Sequence, residues 1–184
     1  MNIVNATSRS EFRKWLTENS YKESECWIAV KKGKEPPLNC IWYLDAVEEA
    51  LCFGWIDTTI KNINGVSMQK FAPRRKKSTW SELNKERCRR LERLGLMTDA
   101  GRMVLPDMSK DFVPDHDIIQ TFKLNPIAWQ RFCNFPPLYQ RIRLNCIQIK
   151  KNNKAIFNKR LEKLIAQSAE GKMFGNWNDY GRLL

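Results

Sequence analysis

The dipeptide Asn64-Gly65 constrains this chain more than any other pair of neighbours. Both central positions of a type I′ turn need positive φ, and Asn-Gly supplies them at low cost, so the flanking runs are drawn together as an antiparallel hairpin. Trp55–Ile63 reads as the outgoing strand and 66–72 as the return, with Pro73 ending the pair. An all-helical fold is thereby excluded, and the rest of the chain must supply whatever covers the hairpin's apolar face.

Ahead of the hairpin, Ser8 and Glu11 stand at capping-box spacing, and Phe12, Trp15 and Leu16 follow at helical intervals, which predicts a helix over 9–18. Residues 26–32 read as a strand with Cys26, Ile28 and Val30 on one face, and the Glu35-Pro36-Pro37 step breaks it. Residues 43–53 read as a second helix stopped by Gly54, with Glu48 completing a capping box from Asp45. After Pro73 a third helix starts near Thr79 or Ser81, buries Leu83, Cys88, Leu91 and Leu94, and stops at Gly95; Thr98 caps a short helix closed by Pro106.

From residue 116 the pattern is wholly helical. Segments 116–123, 126–134, 138–150 and 154–169 are separated by Asn125-Pro126, Pro136-Pro137 and a polar step, and the tail beyond Gly171 is irregular. The fold class is therefore α+β: an α-β-α-β-β-α domain over 1–105 with a small, mainly antiparallel sheet, a linker over 106–115, and a helical module over 116–184.

The 184 residues carry 32 Lys and Arg against 20 Asp and Glu, a formal charge of +12. Residues 1–105 hold 19 basic and 13 acidic groups and residues 106–184 hold 13 and 7, so each part carries an excess of six and the charge is no detachable basic tail. The balance favours anionic partners and argues against acidic ones. His116 is the single histidine, which excludes sites built on several His ligands, and no metal or cofactor is expected. Cys26, Cys40, Cys52, Cys88, Cys133 and Cys146 form no CxxC pair. Cys26, Cys52 and Cys146 lie among apolar neighbours and read as buried reduced thiols. The opening MNIVNATSRSEF has no signal-like apolar stretch, and the run 50–56 is far too short to span a bilayer; the expected location is cytoplasmic.

One block concentrates unusual residues: Ala50-Leu51-Cys52-Phe53-Gly54-Trp55-Ile56-Asp57, then Pro73-Arg74-Arg75, Lys77-Ser78, Trp80-Ser81, Asn84, and Ala100-Gly101-Arg102-Met103. These stretches resemble the YdeI/OmpD-associated family of bacterial proteins, also called bacteriocin-protection proteins. The likeness runs from about Ser10 to Leu164 and is most specific in the first two-thirds. It implies an α+β domain followed by a helical module, and a role linked to envelope stress, with no catalytic activity attached.

The chemistry of the same residues points to an anion. Trp55 and Asp57 share one face of their strand. Arg74, Arg75 and Lys77 precede Ser78, Trp80, Ser81 and Asn84 around a helix N-terminus, where N–H groups and the helix dipole favour a phosphate or carboxylate. Simple Ser capping and an Asp57–Arg structural pair are the competing readings. A nucleic-acid surface is the second candidate: residues 70–93 hold ten Lys and Arg against three Glu, and 141–163 hold eight against one. Lys85, Arg89 and Arg93 form an i, i+4, i+8 stripe, joined by Lys150, Lys151, Lys159 and Arg160, and Trp80 is placed to stack on a base. An enzyme using Asp57 as base on an anionic metabolite is the third. Adjacent Glu48 and Glu49 point about 100° apart on a helix and cannot face each other as acid and base.

Overall fold

The computed structural model describes every residue except Lys77. It divides the chain into two units, Met1–Ser78 with Arg87–Pro106, and Thr79–Glu86 with Asp107–Leu184.

The first unit is built on a mixed five-stranded sheet. Its central strand is β2 (Cys26–Lys31), which follows β1 (Ile3–Val4) and α1 (Arg9–Asn19). Cys26, Trp27 and Ile28 are all buried, so both faces of β2 are covered at this end rather than one. Along one edge β2 pairs in parallel with β1 (Ile3 opposite Trp27) and with β3 (Ile41–Trp42; Val30 opposite Ile41). Along the other it pairs antiparallel with β5 (Val66–Pro73), which in turn pairs antiparallel with β4 (Trp55–Ile63). The hairpin forms as its turn residues require, with Asn64 at φ 51° and Gly65 at φ 82°. β1 and β3 are additions to the sequence reading, and they make the sheet mixed. Two-residue strands carry no period-2 signal, and their pairing is with residues far along the chain.

Helix α1 starts where Ser8 accepts from the Glu11 N–H, and Glu11 reaches back to the Thr7 N–H at 2.7 Å. Its apolar stripe enters the core through Phe12 on Phe71 and Trp15 edge-on to Trp55, with ring centres 5.5 and 5.9 Å apart. Helix α2 (Tyr43–Cys52) has no side-chain cap, so Asp45 does not form the box with Glu48. Past α2, Gly54 takes φ +75°, where a Cβ would lie 2.9 Å from the Ala100 carbonyl oxygen. Helix α4 (Asp99–Met103) packs against that corner. Thr98 caps it by accepting from the Gly101 N–H and donates to the Cys52 carbonyl at 2.6 Å. A Cβ at Gly101 would stand 2.2 Å from the same carbonyl oxygen. The Phe53-Gly54 and Ala100-Gly101 steps are therefore explained by one close approach of two helix ends.

Helix α3 (Glu82–Arg93) contributes Cys88 and Leu91 to the core of the first unit. Leu94 is exposed, against expectation, because the helix has already ended at Arg93 and Gly95 turns the chain at φ +66°.

The second unit holds α5 (His116–Lys123), α6 (Pro126–Cys133), α7 (Pro137–Gln148) and α8 (Lys154–Ala169). Asn125 and Asn153 cap α6 and α8 by accepting from Ala128 and Ile156. The core is aromatic, with Phe122, Phe132 and Tyr139 fully buried. The tail beyond Gly171 is irregular yet anchored: Trp177 packs edge-on against Tyr139 at 5.6 Å.

Candidate functional site

Trp55 is not a ligand wall. It is 1% exposed, stacked edge-on by Trp15, and its indole donates to the Ser20 carbonyl at 3.2 Å. Asp57 is half-buried and accepts from the Tyr43 hydroxyl at 2.7 Å. Arg74 lies in the interior at 8% exposure, with its N–H bonded to the Gly54 carbonyl. Burial holds its guanidinium pKa below the ordinary value, opposed by the nearby Cys88 and Asp57. An arginine this buried does not fit an exposed cradle.

Arg75 is exposed, but its carbonyl receives both the N–H and the hydroxyl of Ser78 at 3.0 and 2.8 Å, so Ser78 closes a local turn. Lys77 lies outside the described residues. Trp80, Ser81 and Asn84 belong to the second unit, and Trp55, Asp57, Arg74, Arg75 and Ser78 belong to the first. The N-terminus of α3 is already occupied by protein groups. Ser81 accepts from the Asn84 N–H, Asn145 accepts from the Glu82 N–H, and the buried Glu82 carboxylate pairs with Lys85 at 2.7 Å and Arg141 at 3.3 Å. An anion expected there would meet a resident carboxylate.

The basic stripe Lys85, Arg89 and Arg93 runs along α3. Lys85, paired with Glu82, belongs to the second unit, and Arg89 and Arg93 belong to the first. Lys151 is engaged by Asp115 at 2.8 Å, Lys150 is half-buried, and Lys159 is exposed. His116 is an exposed residue beside Gln120 on the surface of α5.

Two charge clusters were not foreseen. In the first unit, Glu48 and Glu49 are both about 99% buried and share the Arg9 guanidinium. Arg9 Nε reaches Glu49 at 2.6 Å, and its Nη1 reaches Glu48 at 2.7 Å and Asp45 at 3.4 Å. Arg13 binds Glu49 at 2.7 Å and Arg90 binds Glu48 at 2.8 Å. Burial works to lower the pKa of Arg9 and Arg13, yet the glutamates outweigh it and hold both above the ordinary value. The signal in sequence was an i, i+4 arginine pair on α1 and carboxylates at i, i+3 and i+4 on α2.

The second cluster lines a cavity of about 290 Å³ in the helical unit. Helix α7 contributes Arg143, Cys146 and Ile147, helix α8 contributes Arg160, Lys163 and Leu164, and the tail contributes Phe174. Arg143 is held in place: its Nη2 donates to the Phe174 carbonyl at 2.6 Å, and its guanidinium sits 4.7 Å from the Phe174 ring centre. Lys163 lies 4.9 Å from the same ring, and Arg160 donates to the Cys146 carbonyl. Among the described residues none of these three cations has a carboxylate partner, and no carboxylate lines the cavity. Cys146 is half-buried at this wall rather than a core thiol. Both helices show the i, i+3, i+4 spacing that puts three residues on one face. The sequence presents these cations as part of the basic cluster 141–163, a candidate nucleic-acid surface.

Neither the curated proteins nor the solved structures contain a match to this chain. A family description does match, over residues 4–104, which covers the sheet, α1 to α4 and none of the cavity residues. The chain belongs to the family described as a domain of unknown function (DUF8412).

Proposed function

We propose that this protein is a binding protein for a small anion, and that the anion is taken up in the cavity between α7 and α8. The observation that carries this reading is the charge imbalance there: Arg143, Arg160 and Lys163 converge on one cavity whose lining holds no carboxylate. Cations gathered in a partly desolvated wall repel one another and gain when a counter-charge enters. The ligand class is the one expected from the sequence, but the site moves from the 74–84 loop to the helical unit. The envelope-stress role and cytoplasmic location implied above belong to the same proposal. Asp57 is occupied by Tyr43, so Asp57→Asn is expected to act on stability rather than on turnover.

Titration calorimetry at low salt with phosphate, acetate and octanoate tests this. Saturable binding of at least one, weakened tenfold or more in the Arg160→Gln/Lys163→Gln double variant, is the expected result. No saturable binding of any of the three overturns it. The exposed lysines Lys154 and Lys159 favour nucleic acid as the second reading. Oligonucleotide binding with a steep salt slope, against silence from all three small anions, would put that reading first.

A further inference from the structure

Resting on that reading, we infer that the cavity's ligand is an amphipathic anion: a carboxylate or phosphate head on a hydrocarbon or aryl body of about a dozen non-hydrogen atoms.

The lining has two chemically distinct parts. One is cationic, made by Arg143, Arg160 and Lys163; the other is apolar, made by Ile147, Leu164 and Phe174. Ile147 and Leu164 are 2% and 1% exposed, so they form a floor fixed by the core rather than mobile surface groups. A bare inorganic anion would satisfy the cations but be pressed against that floor, surrendering hydration for nothing in return. A neutral hydrocarbon would cover the floor but leave the cations uncompensated. A molecule with both parts satisfies both.

Size narrows the class. The space of about 290 Å³ equals about ten waters at ~30 Å³ each, at the small end of ligand pockets. That suits a medium-chain or single-ring monoanion and excludes a nucleic-acid strand or a two-chain lipid.

The head-group end is preorganised. Arg143 is clamped between the Tyr139 and Phe174 rings, 5.5 and 4.7 Å from their centres, and tied to the Phe174 carbonyl. Its Nε is buried without an acceptor among the described residues. Gly175 completes the clamp: a Cβ there would lie 2.5 Å from Arg143 Nη2, and the residue sits at φ +70°. A fixed cation loses little freedom on binding, whereas Lys163, exposed at the rim, is placed to close on the head group.

The test is a calorimetric series on the full chain: acetate, butyrate, hexanoate and octanoate, with phenyl phosphate, inorganic phosphate and 1-octanol. Affinity is expected to rise at least tenfold from acetate to octanoate. Phenyl phosphate should exceed inorganic phosphate similarly, 1-octanol should be silent, and the Arg160→Gln/Lys163→Gln variant should lose tenfold or more. Acetate and inorganic phosphate binding as tightly as the larger anions would overturn this inference and leave the small-anion reading standing. Octanol binding as well as octanoate would overturn both, because charge would then not be what is recognised. Silence from every compound would also overturn both.

Discussion

Each unit gathers three cations at one place, and the two groups differ in what answers them. In the first, Arg9, Arg13 and Arg90 meet Asp45, Glu48 and Glu49, so three carboxylates answer three guanidiniums, and Arg9 Nη2 stays buried without an acceptor among the described residues. In the second, Arg143, Arg160 and Lys163 surround a cavity and meet no carboxylate among the described residues. Cations of the second unit are not generally unpaired, for Arg141, Lys151 and Lys172 all have acidic partners. The difference teaches where to look for function. Cations matched by carboxylates hold a fold together; a converging set of like charges with no carboxylate among them favours a counter-charge from outside.

Three buried thiols of the first unit give the largest effect. Cys26, Cys52 and Cys88 are buried in the first unit, and burial pushes each thiol up to about 12 from 9.0. Unfolding frees them to ionise, so above pH ~9 the unfolded state binds fewer protons and stability falls as pH rises. The loss begins near the unfolded value and continues to about 12, at roughly 1.4 kcal/mol per pH unit for each thiol. Urea melts at pH 8, 9.5 and 10.5 should show that fall, and serine at any of the three positions should reduce its slope. At pH 8 these three should resist alkylation while the exposed Cys133 reacts.

Next in size is Glu49→Ala. It removes the carboxylate partner of Arg13 and of Arg9 Nε, while Arg9 keeps Glu48 and Asp45, and should cost about 2–3 kcal/mol in urea melts. That is less than for a fully buried pair, because both arginines are about a third exposed and can recruit water. A cost near zero would break the comparison, since the network would then not be structural.

Gly175→Ala should cost about 1 kcal/mol from its positive φ and, by displacing Arg143, weaken anion binding more than it weakens the fold. Smallest is the Arg160→Gln/Lys163→Gln double variant. Removing two like charges that lack acidic partners should leave stability within ~0.5 kcal/mol or raise it slightly. A loss above 2 kcal/mol would mean that these cations hold the fold, as Arg9 does.

Local chemistry made much of the fold legible. Asn64-Gly65 dictates its own backbone, and the capping residues Ser8, Thr98 and Asn125 mark helix starts without help from elsewhere. The parallel partners of β2 were not legible, because two-residue strands take their identity from a strand some twenty residues ahead or ten behind. The shared face of Trp55 and Asp57 follows from strand period, but whether that face meets solvent depends on Trp15 and Tyr43, which come from other elements. The cavity was hidden for the same reason. Arg143 and Lys163 each look like solvated cations on a single helix, and only the pairing of α7 with α8 and the return of Phe174 put them around one space.

Cys146 offers the most direct test of the central claim, because this half-buried cysteine lines the cavity. In a Cys40→Ser/Cys133→Ser background, its alkylation by a maleimide would be timed with and without saturating octanoate. The account predicts at least tenfold slowing by octanoate, none by 1-octanol, and loss of protection in the Arg160→Gln/Lys163→Gln variant. An alkylation rate that octanoate leaves unchanged while calorimetry shows it bound would contradict the account, because the anion would then be held somewhere else.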